Sequence, residues 1–351
     1  MIPDNKKITV GILFGGKSAE HEVSLQSAKN IYDAIDRGRF EPVLIGIDKG
    51  GKWLLSDASR FLLNSGDPRN ISLNPSGSPV SLTPASEGSL SGAAPKLDVV
   101  FPILHGPFGE DGTVQGLLKL AGVPFVGSGV LGSAIGMDKD VMKRLFRDAG
   151  IPIGKFLAFR SHNIIPPFAE ITAALGSPVF VKPVNMGSSV GISKARTQAE
   201  FSAAINGAFQ HDTKIVIEEC IVGREIECAV LGNDDPIASV PGEVIPTHEF
   251  YSYEAKYLDE NGAALEIPAK LDDKTQKRVQ ELSIKAFQTL CCEGLSRIDF
   301  FLKENGEVLI NEINTMPGFT KNSMYPKLWE ASGTGYTQLI SRLIELAMEK
   351  K

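Results

Sequence analysis

The segment 296–318, SRIDFFLKENGEVLINEINTMPG, constrains this chain more than any other stretch. Two runs of alternating apolar and polar residues flank Asn305-Gly306, a dipeptide suited to the positive φ of a tight hairpin turn. A two-residue turn centred there sets Asp299 opposite Glu312, Arg297 opposite Asn314 and Phe301 opposite Ile310. Strand alternation then puts those six on one face, leaving Ile298, Phe300, Leu302, Leu309 and Ile313 to face a core. Two directly opposed carboxylates repel, so a cation must offset them. Two carboxylates and a side-chain amide are hard oxygen donors, the set that suits Mg²⁺. Pairing with Arg297 alone would leave Asn314 without a role.

The rest of the chain must bring something to that ribbon. At roughly 150 residues per domain, 351 residues make two or three domains. Apolar runs at 8–14, 43–47 and 98–104 alternate with a helix-like stretch at 23–35, which predicts a parallel α/β domain. Residues 64–95 are rich in Ser, Gly, Pro and Asn and read as a surface excursion of hairpin type. A helix over 139–149 stops at Gly150 and Pro152. Strands at 179–182 and 215–219 enclose a Gly/Ser loop at 186–191. Beyond them the pattern gives a strand at 225–231, an irregular loop at 246–268, a helix at 272–290, the hairpin, and a closing helix at 335–348. The reading is an α/β domain over 1–138, followed by α+β units over 139–221 and 222–351.

Charge and composition exclude several classes. The 36 Lys and Arg against 42 Asp and Glu give a net charge of −6, without the broad basic surface of a nucleic-acid binder. No apolar run approaches the ~20 residues that cross a bilayer. Lys6-Lys7 followed by residues 8–14 reads as an opening buried strand, not a signal peptide. Five His without HxH or HExxH spacing, and four Cys without metal spacing, argue against a zinc site. The cysteines read as reduced core thiols of a cytoplasmic protein.

Two pattern matches fail on physical grounds. Residues 11–18 fit the P-loop expression, but its middle positions Ile12, Leu13 and Phe14 belong to a strand, not an exposed phosphate loop. Residues 127–132 fit GxGxxG, yet no second strand with an acidic end follows, and a tight strand-to-helix turn accounts for them. Four other segments carry chemistry. Lys182 ends a strand and leads into Gly187, Ser188, Ser189 and Gly191, whose backbone N–H groups can close over phosphates. After the ribbon, Pro317-Gly318 exposes an N–H suited to an oxyanion, and Ser323 with the N–H groups after it suits a carboxylate. Glu20 lies in a loop or first helical turn, where Glu22 favours the helix N-terminus. The aromatic stretch 250–257 can act as a water-excluding lid.

Taken together these motifs resemble the ATP-grasp ligases, and within them the D-alanine–D-alanine ligase family. The matching segments run nearly end to end: GGKSAEHEVS at 15–24, HGPFGEDGTVQG at 105–116, GSG at 127–129, MDK at 137–139, VKPVNMGSSVG at 181–191, the Tyr-rich 250–257, RIDFF at 297–301 and NEINTMPGFT at 311–320. Residues 64–95 match least. The resemblance implies ATP bound between the second and third units, two Mg²⁺ or Mn²⁺ on Asp299, Glu312 and Asn314, and a homodimer. It implies Lys139 and Lys182 on the phosphates under Ser188 and Ser189, and adenine and ribose framed by Glu218, Glu219, Ile221, Glu225 and Phe301. It implies Glu20, with His105 nearby, on the first D-alanine's ammonium, and Arg297 and Gly318 on the reacting oxyanion. Ser323 and Met324 would receive the second carboxylate, and Glu20, Ser188 and Tyr257 would fix the lid. Tyr257 further implies an amine acceptor in place of D-lactate.

Overall fold

A computed structural model describes residues 6–57, 59–67, 70–92, 94–246 and 263–350. The chain opens with β1 (Ile8–Gly15), which lies parallel to β2 (Phe40–Ile47). The antiparallel β3 (Trp53–Ser56) borders β2, and the short pair β4 (Leu62–Leu63) and β5 (Ser72–Leu73) forms a small hairpin. β6 (Ser78–Pro79) and the parallel β7 (Val99–Ile103) complete a sheet of order β6-β3-β2-β1-β7. β1 reads as an unbroken apolar run because both its faces are covered. On one side lie α1 (His21–Ala34), through Leu25, Ala28 and Ile31, and the chain's closing helix. On the other lie Leu104, Val114 and Leu118, the last two from α2 (Thr113–Leu120). The excursion at 64–95 packs inward through Ile71, Leu73, Leu82 and Leu90.

Helices α3 (Val130–Met137) and α4 (Lys139–Asp148) lead out of this sheet. The GxGxxG stretch is a turn: Gly129 caps α3, and Phe125 before it bridges Val100. The second sheet, order β10-β9-β11-β8, comprises β8 (Phe156–Arg160), β9 (Val179–Pro183), β10 (Ser193–Ala195) and β11 (Lys214–Glu219). Val179, Val181, Ile215 and Ile217 pack on α5 (Phe168–Leu175) and α6 (Gln198–Phe209). Alternation therefore turns Lys182 and Glu218 to the opposite face.

The third sheet runs β15-β14-β12-β16-β17, with a small strand attached to β12. Its members are β12 (Arg224–Gly232), β13 (Ile237–Ala238), β14 (Gly242–Pro246), β15 (Ala263–Glu266), β16 (Gly294–Leu302) and β17 (Val308–Asn314). β15 takes up the end of the stretch that reads as irregular loop. Ile226, Cys228, Ile298 and Phe300 face α7 (Asp273–Thr289) together with Met142 and Phe146 of α4. Glu225, Glu227, Arg297, Asp299 and Phe301 occupy the other face. Finally α8 (Met324–Ala331) leads to α9 (Tyr336–Glu349), whose Leu339, Leu343 and Ile344 return to the first sheet's core.

The hairpin corrects one expectation. Gly306 donates to the Lys303 carbonyl at 2.9 Å and Lys303 to the Glu307 carbonyl at 2.9 Å, which makes the loop three residues, 304–306. Gly306 sits at φ +82, the left-handed position that closes such a loop. Phe301 consequently faces Leu309, and Phe300 faces Ile310. An extra residue, Asn311, then interrupts the ladder and restores the expected pairs Asp299–Glu312 and Arg297–Asn314. Ile310 thereby joins the core, and Leu309 takes its place on the charged face. The cysteine reading is corrected in part as well. All four are free, but Cys228 and Cys292 alone are buried, and Cys291 is exposed.

Candidate active site

The charged face of the third sheet is built from three neighbouring strands. Arg297 grips Asp299 with two hydrogen bonds of 2.7 Å, and its Nε also lies 2.9 Å from Glu227 on β12. The Asn314 amide donates to Asp299 at 3.0 Å. Glu312 stands opposite Asp299 and 3.7 Å from Lys139 Nζ. The opposed carboxylates are thus each offset by a cation, as their repulsion requires. Their oxygens and the Asn314 amide oxygen form a donor set that fits a hard divalent cation. Among the described residues no ready-made cluster of three or more His, Cys, Asp or Glu is assembled.

Facing the ribbon are lysines from α4 and from the second sheet. Lys139, at the start of α4, donates to the Met186 carbonyl at 2.8 Å, so it joins the Gly/Ser loop to Glu312. Lys182 Nζ lies 2.7 Å from Glu218 Oε2, and Lys143 Nζ lies 3.1 Å from Oε1. Against the burial that would raise it, Lys143 and Lys182 hold the Glu218 carboxyl down to about 2. Burial pushes Lys143 below the ordinary lysine range, while Glu218 overrides the same penalty and raises Lys182. Lys143 escaped the sequence reading, although a Lys-x-x-x-Lys spacing one turn beyond the MDK motif marked it.

The loop after β9 has Ser188 at φ +50 and Ser189 at φ +62, conformations unusual for a residue with a side chain. Ser188 Oγ donates to the Glu20 carboxylate, tying this loop to the start of α1 168 residues earlier in the chain. Glu20 itself is buried at the position preceding α1. Near it Glu110 accepts from the Gly106 N–H at 2.7 Å. Desolvation pushes Glu110 up to about 8, with the charge of Glu20 adding to the rise. His105 is buried, with Nδ1 3.1 Å from the Met316 carbonyl and Nε2 without a hydrogen-bond partner among the described residues. Burial holds its ring below the usual histidine range. Glu110 and Glu227 also escaped the sequence reading; Glu110 lies inside the motif at 105–116, whereas Glu227 becomes visible only through its register with Asp299.

The remaining candidates fall on either side of this cleft. Glu225 pairs with Phe301 across β12 and β16. Glu219 is turned to the Lys155 N–H at 2.7 Å, and Ile221 packs against Gly154. Gly318 lies beside Ser323, whose Oγ is 2.9 Å from the Thr320 hydroxyl, and Met324 is the first residue of α8. Tyr257 and the stretch 250–257 lie outside the described residues.

Two sheets that face each other across a lysine-and-carboxylate cleft, roofed by a Gly/Ser loop, define the ATP-grasp class. The chain belongs to the D-alanine–D-alanine ligase family. The family model described as D-ala D-ala ligase N-terminus matches residues 9–128, and D-ala D-ala ligase C-terminus matches 145–345. The chain is 58% identical to a D-alanine–D-alanine ligase of Shouchella clausii, over 98% of this chain and 95% of that one. It is 54% identical to D-alanine–D-alanine ligase A of Escherichia coli, over 98% and 97%. Among solved structures, the D-alanine–D-alanine ligase of Coxiella burnetii superposes with a TM-score of 0.87 at 37% identity, covering 98% of this chain and 94% of that one. The VanG D-Ala:D-Ser ligase of Enterococcus faecalis gives 0.86 at 38%, covering 97% and 100%. The fold is the three-domain ATP-grasp architecture, α/β followed by α+β.

Proposed function

We propose that this chain joins two D-alanines into D-alanyl-D-alanine at the expense of ATP, as a cytoplasmic step of peptidoglycan precursor synthesis. The observation that carries the reading is the pairing of an acid-rich ribbon, Asp299, Glu312 and Asn314, with the lysines 139 and 182 across one cleft. A metal–triphosphate complements both sides at once. The carboxylate of the first D-alanine attacks the γ-phosphorus, and the bond to ADP breaks. The amine of the second D-alanine then attacks the acylphosphate carbon, loses a proton, and phosphate leaves. Two Mg²⁺, or Mn²⁺, held by Asp299, Glu312 and Asn314 would neutralise the phosphate oxygens.

The protein's own groups bind and orient. Lys139 and Lys182 hold the phosphates, and the Ser188 and Ser189 loop closes over them. Glu218, Glu219, Ile221, Glu225 and Phe301 frame the base and ribose. Glu20, with His105 beside it, receives the first ammonium. Arg297 and the Gly318 N–H stabilise the tetrahedral oxyanion. Ser323 and the Met324 N–H, at the start of α8, suit the second carboxylate. Glu20, Ser188 and Tyr257 keep the lid in register. The working units are 1–138, 139–221 and 222–351, and the assembly is a homodimer.

ADP release measured with D-alanine, L-alanine and D-lactate, at neutral and raised pH, tests the reading. D-Alanine should support turnover alone, whereas L-selective or D-alanine-independent release would overturn it. Depsipeptide formation in place of dipeptide would point to a D-alanine–D-lactate ligase. Absence of nucleotide turnover with every acceptor would leave a silent nucleotide-binding regulator. No helix among the described residues is long and apolar enough to cross a membrane.

A further inference from the structure

Lys143 takes no part in the reaction just described, yet only 3% of its surface is exposed. It follows Lys139 by one turn of α4, so both side chains leave the same face of the helix. Lys139 reaches the Met186 carbonyl and Glu312; Lys143 reaches the Glu218 oxygen that Lys182 does not take. One carboxylate thus lies between two ammonium groups brought by α4 and β9. Burying an ammonium is costly, and a methionine of similar length would serve packing better. α4 already supplies Met142 and Phe146 to the core, so Lys143 is not needed there as filler. Glu218 is the carboxylate that touches both ammonium groups, while Glu312 acts on both of them, and Glu225 on Lys182, by charge alone. Of the two lysines, Lys182, at the mouth of the Gly/Ser loop, is the one positioned to take a further anion.

We propose that Lys143 is a positioning residue of the nucleotide site: it retains the Glu218 carboxylate when Lys182 turns from it to a nucleotide phosphate. Glu218 then stays ionised and fixed against the base, where it accepts from an exocyclic amine and repels a carbonyl oxygen. This rests on the ATP reading above. Without Lys143, Glu218 and the phosphate compete for Lys182, which weakens the nucleotide and its selection by base together.

The test is calorimetric binding of a non-hydrolysable ATP analogue with Mg²⁺ to the full chain, alongside steady-state kinetics. Lys143→Met should raise the dissociation constant roughly tenfold or more, and lower the preference for ATP over GTP. Its effect on the KM for ATP should exceed that on the KM for D-alanine. In a Glu218→Gln background the same change should cost less than about twofold, because the two residues act as a unit. A dissociation constant within about twofold of wild type, or losses that simply add, would overturn the proposal. Should Lys143→Met not fold, Lys143→Gln must weaken binding and Lys143→Arg must largely preserve it; the opposite order is equally fatal. Wild type that fails to bind the analogue would remove the nucleotide reading itself, whereas wild type and Lys143→Met binding alike would remove this role alone.

Discussion

The ribbon of β16 and β17 and the lysine nest beneath β9 carry opposite surpluses. On the ribbon Asp299 and Glu227 share Arg297 while Glu312 stands across from Asp299, so acids outnumber bases on a partly open face. In the nest Lys143 and Lys182 share Glu218, so two bases contact one acid, with Lys143 and Glu218 buried and Lys182 half-buried. Each set is electrostatically incomplete, and the missing charge has a different sign in each. Lys139, 3.7 Å from Glu312, is the hinge between them. A lone metal ion would satisfy only the ribbon, and a lone phosphate only the nest. A metal–triphosphate answers both, which is why the two surfaces tell more about the ligand together than either does alone.

Removing one ribbon acid is the harshest way to break this complementarity. Glu312→Ala should lower phosphate release from ATP and D-alanine by on the order of 10³-fold, with the thermal unfolding curve little changed. Retained turnover would reduce the ribbon to an ion-paired hairpin. On the cationic side, Lys182→Ala should cost roughly 10²-fold in kcat/KM for ATP. Lys17 is the counterpart outside the nest, exposed with Nζ 6.0 Å above the Phe108 ring. Lys17→Ala should therefore change the same quantity by less than about threefold. If the two results were exchanged, the P-loop pattern at 11–18 would regain its claim.

Glu110 sharpens the comparison, because it is desolvated like Glu218 but lacks the two flanking lysines. The outcome is opposite: Glu218 falls to about 2 and Glu110 rises to about 8 from an ordinary 4.5. A carboxyl whose native pKa is raised binds its proton more tightly folded than unfolded. Its contribution to stability is complete below pH 4.5 and is lost as pH climbs through about 8. His105, held below its ordinary value by burial, runs the other way as pH rises through 6.5. That term is present whether or not position 110 is acidic, so the comparison with Glu110→Gln isolates the carboxyl. Urea midpoints at pH 5.5 and 8.5 should fall more for wild type than for Glu110→Gln, and parallel slopes would show that Glu110 does not titrate in this window.

The same two regions differ in how much of each is visible in the sequence. The ribbon is local: alternation and Asn305-Gly306 predict Asp299 opposite Glu312 and Arg297 opposite Asn314, and the bulge at Asn311 keeps those pairs despite the longer turn. The nest draws on α4, β9 and β11, which are adjacent only after the second sheet has folded onto the helix. Lys143 carries only one mark in the sequence, its spacing one turn after Lys139; its burial shows only in the fold. Glu20 and Ser188 meet for the same non-local reason, and motif resemblance, not spacing, linked them. Within the ribbon the local error lay in the turn. Asn-Gly favours a two-residue loop, but the chain takes three residues there and uses Asn311 to regain register.

That turn gives the mildest test. Gly306 at φ +82 has open space around the position a Cβ would occupy, so an alanine there meets backbone strain and no clash. Gly306→Ala should destabilise the protein by about 1 kcal/mol, read as a lower urea midpoint at unchanged m. Two registers are then available to the hairpin. If the three-residue loop persists, Asp299 still faces Glu312 and the KM for ATP stays near wild type. If the hairpin instead takes a two-residue loop, which relieves no strain because position 306 keeps its positive φ there, the extra residue at Asn311 becomes superfluous and β17 slips by one between the turn and that point. Phe301 would exchange Leu309 for Ile310, bringing a core side chain to the charged face. The nest has no such freedom, because nothing in it depends on a single turn. A Gly306→Ala protein that loses stability but keeps its ATP affinity would show that the charged pairs, not the turn, fix the ribbon where it meets the cleft.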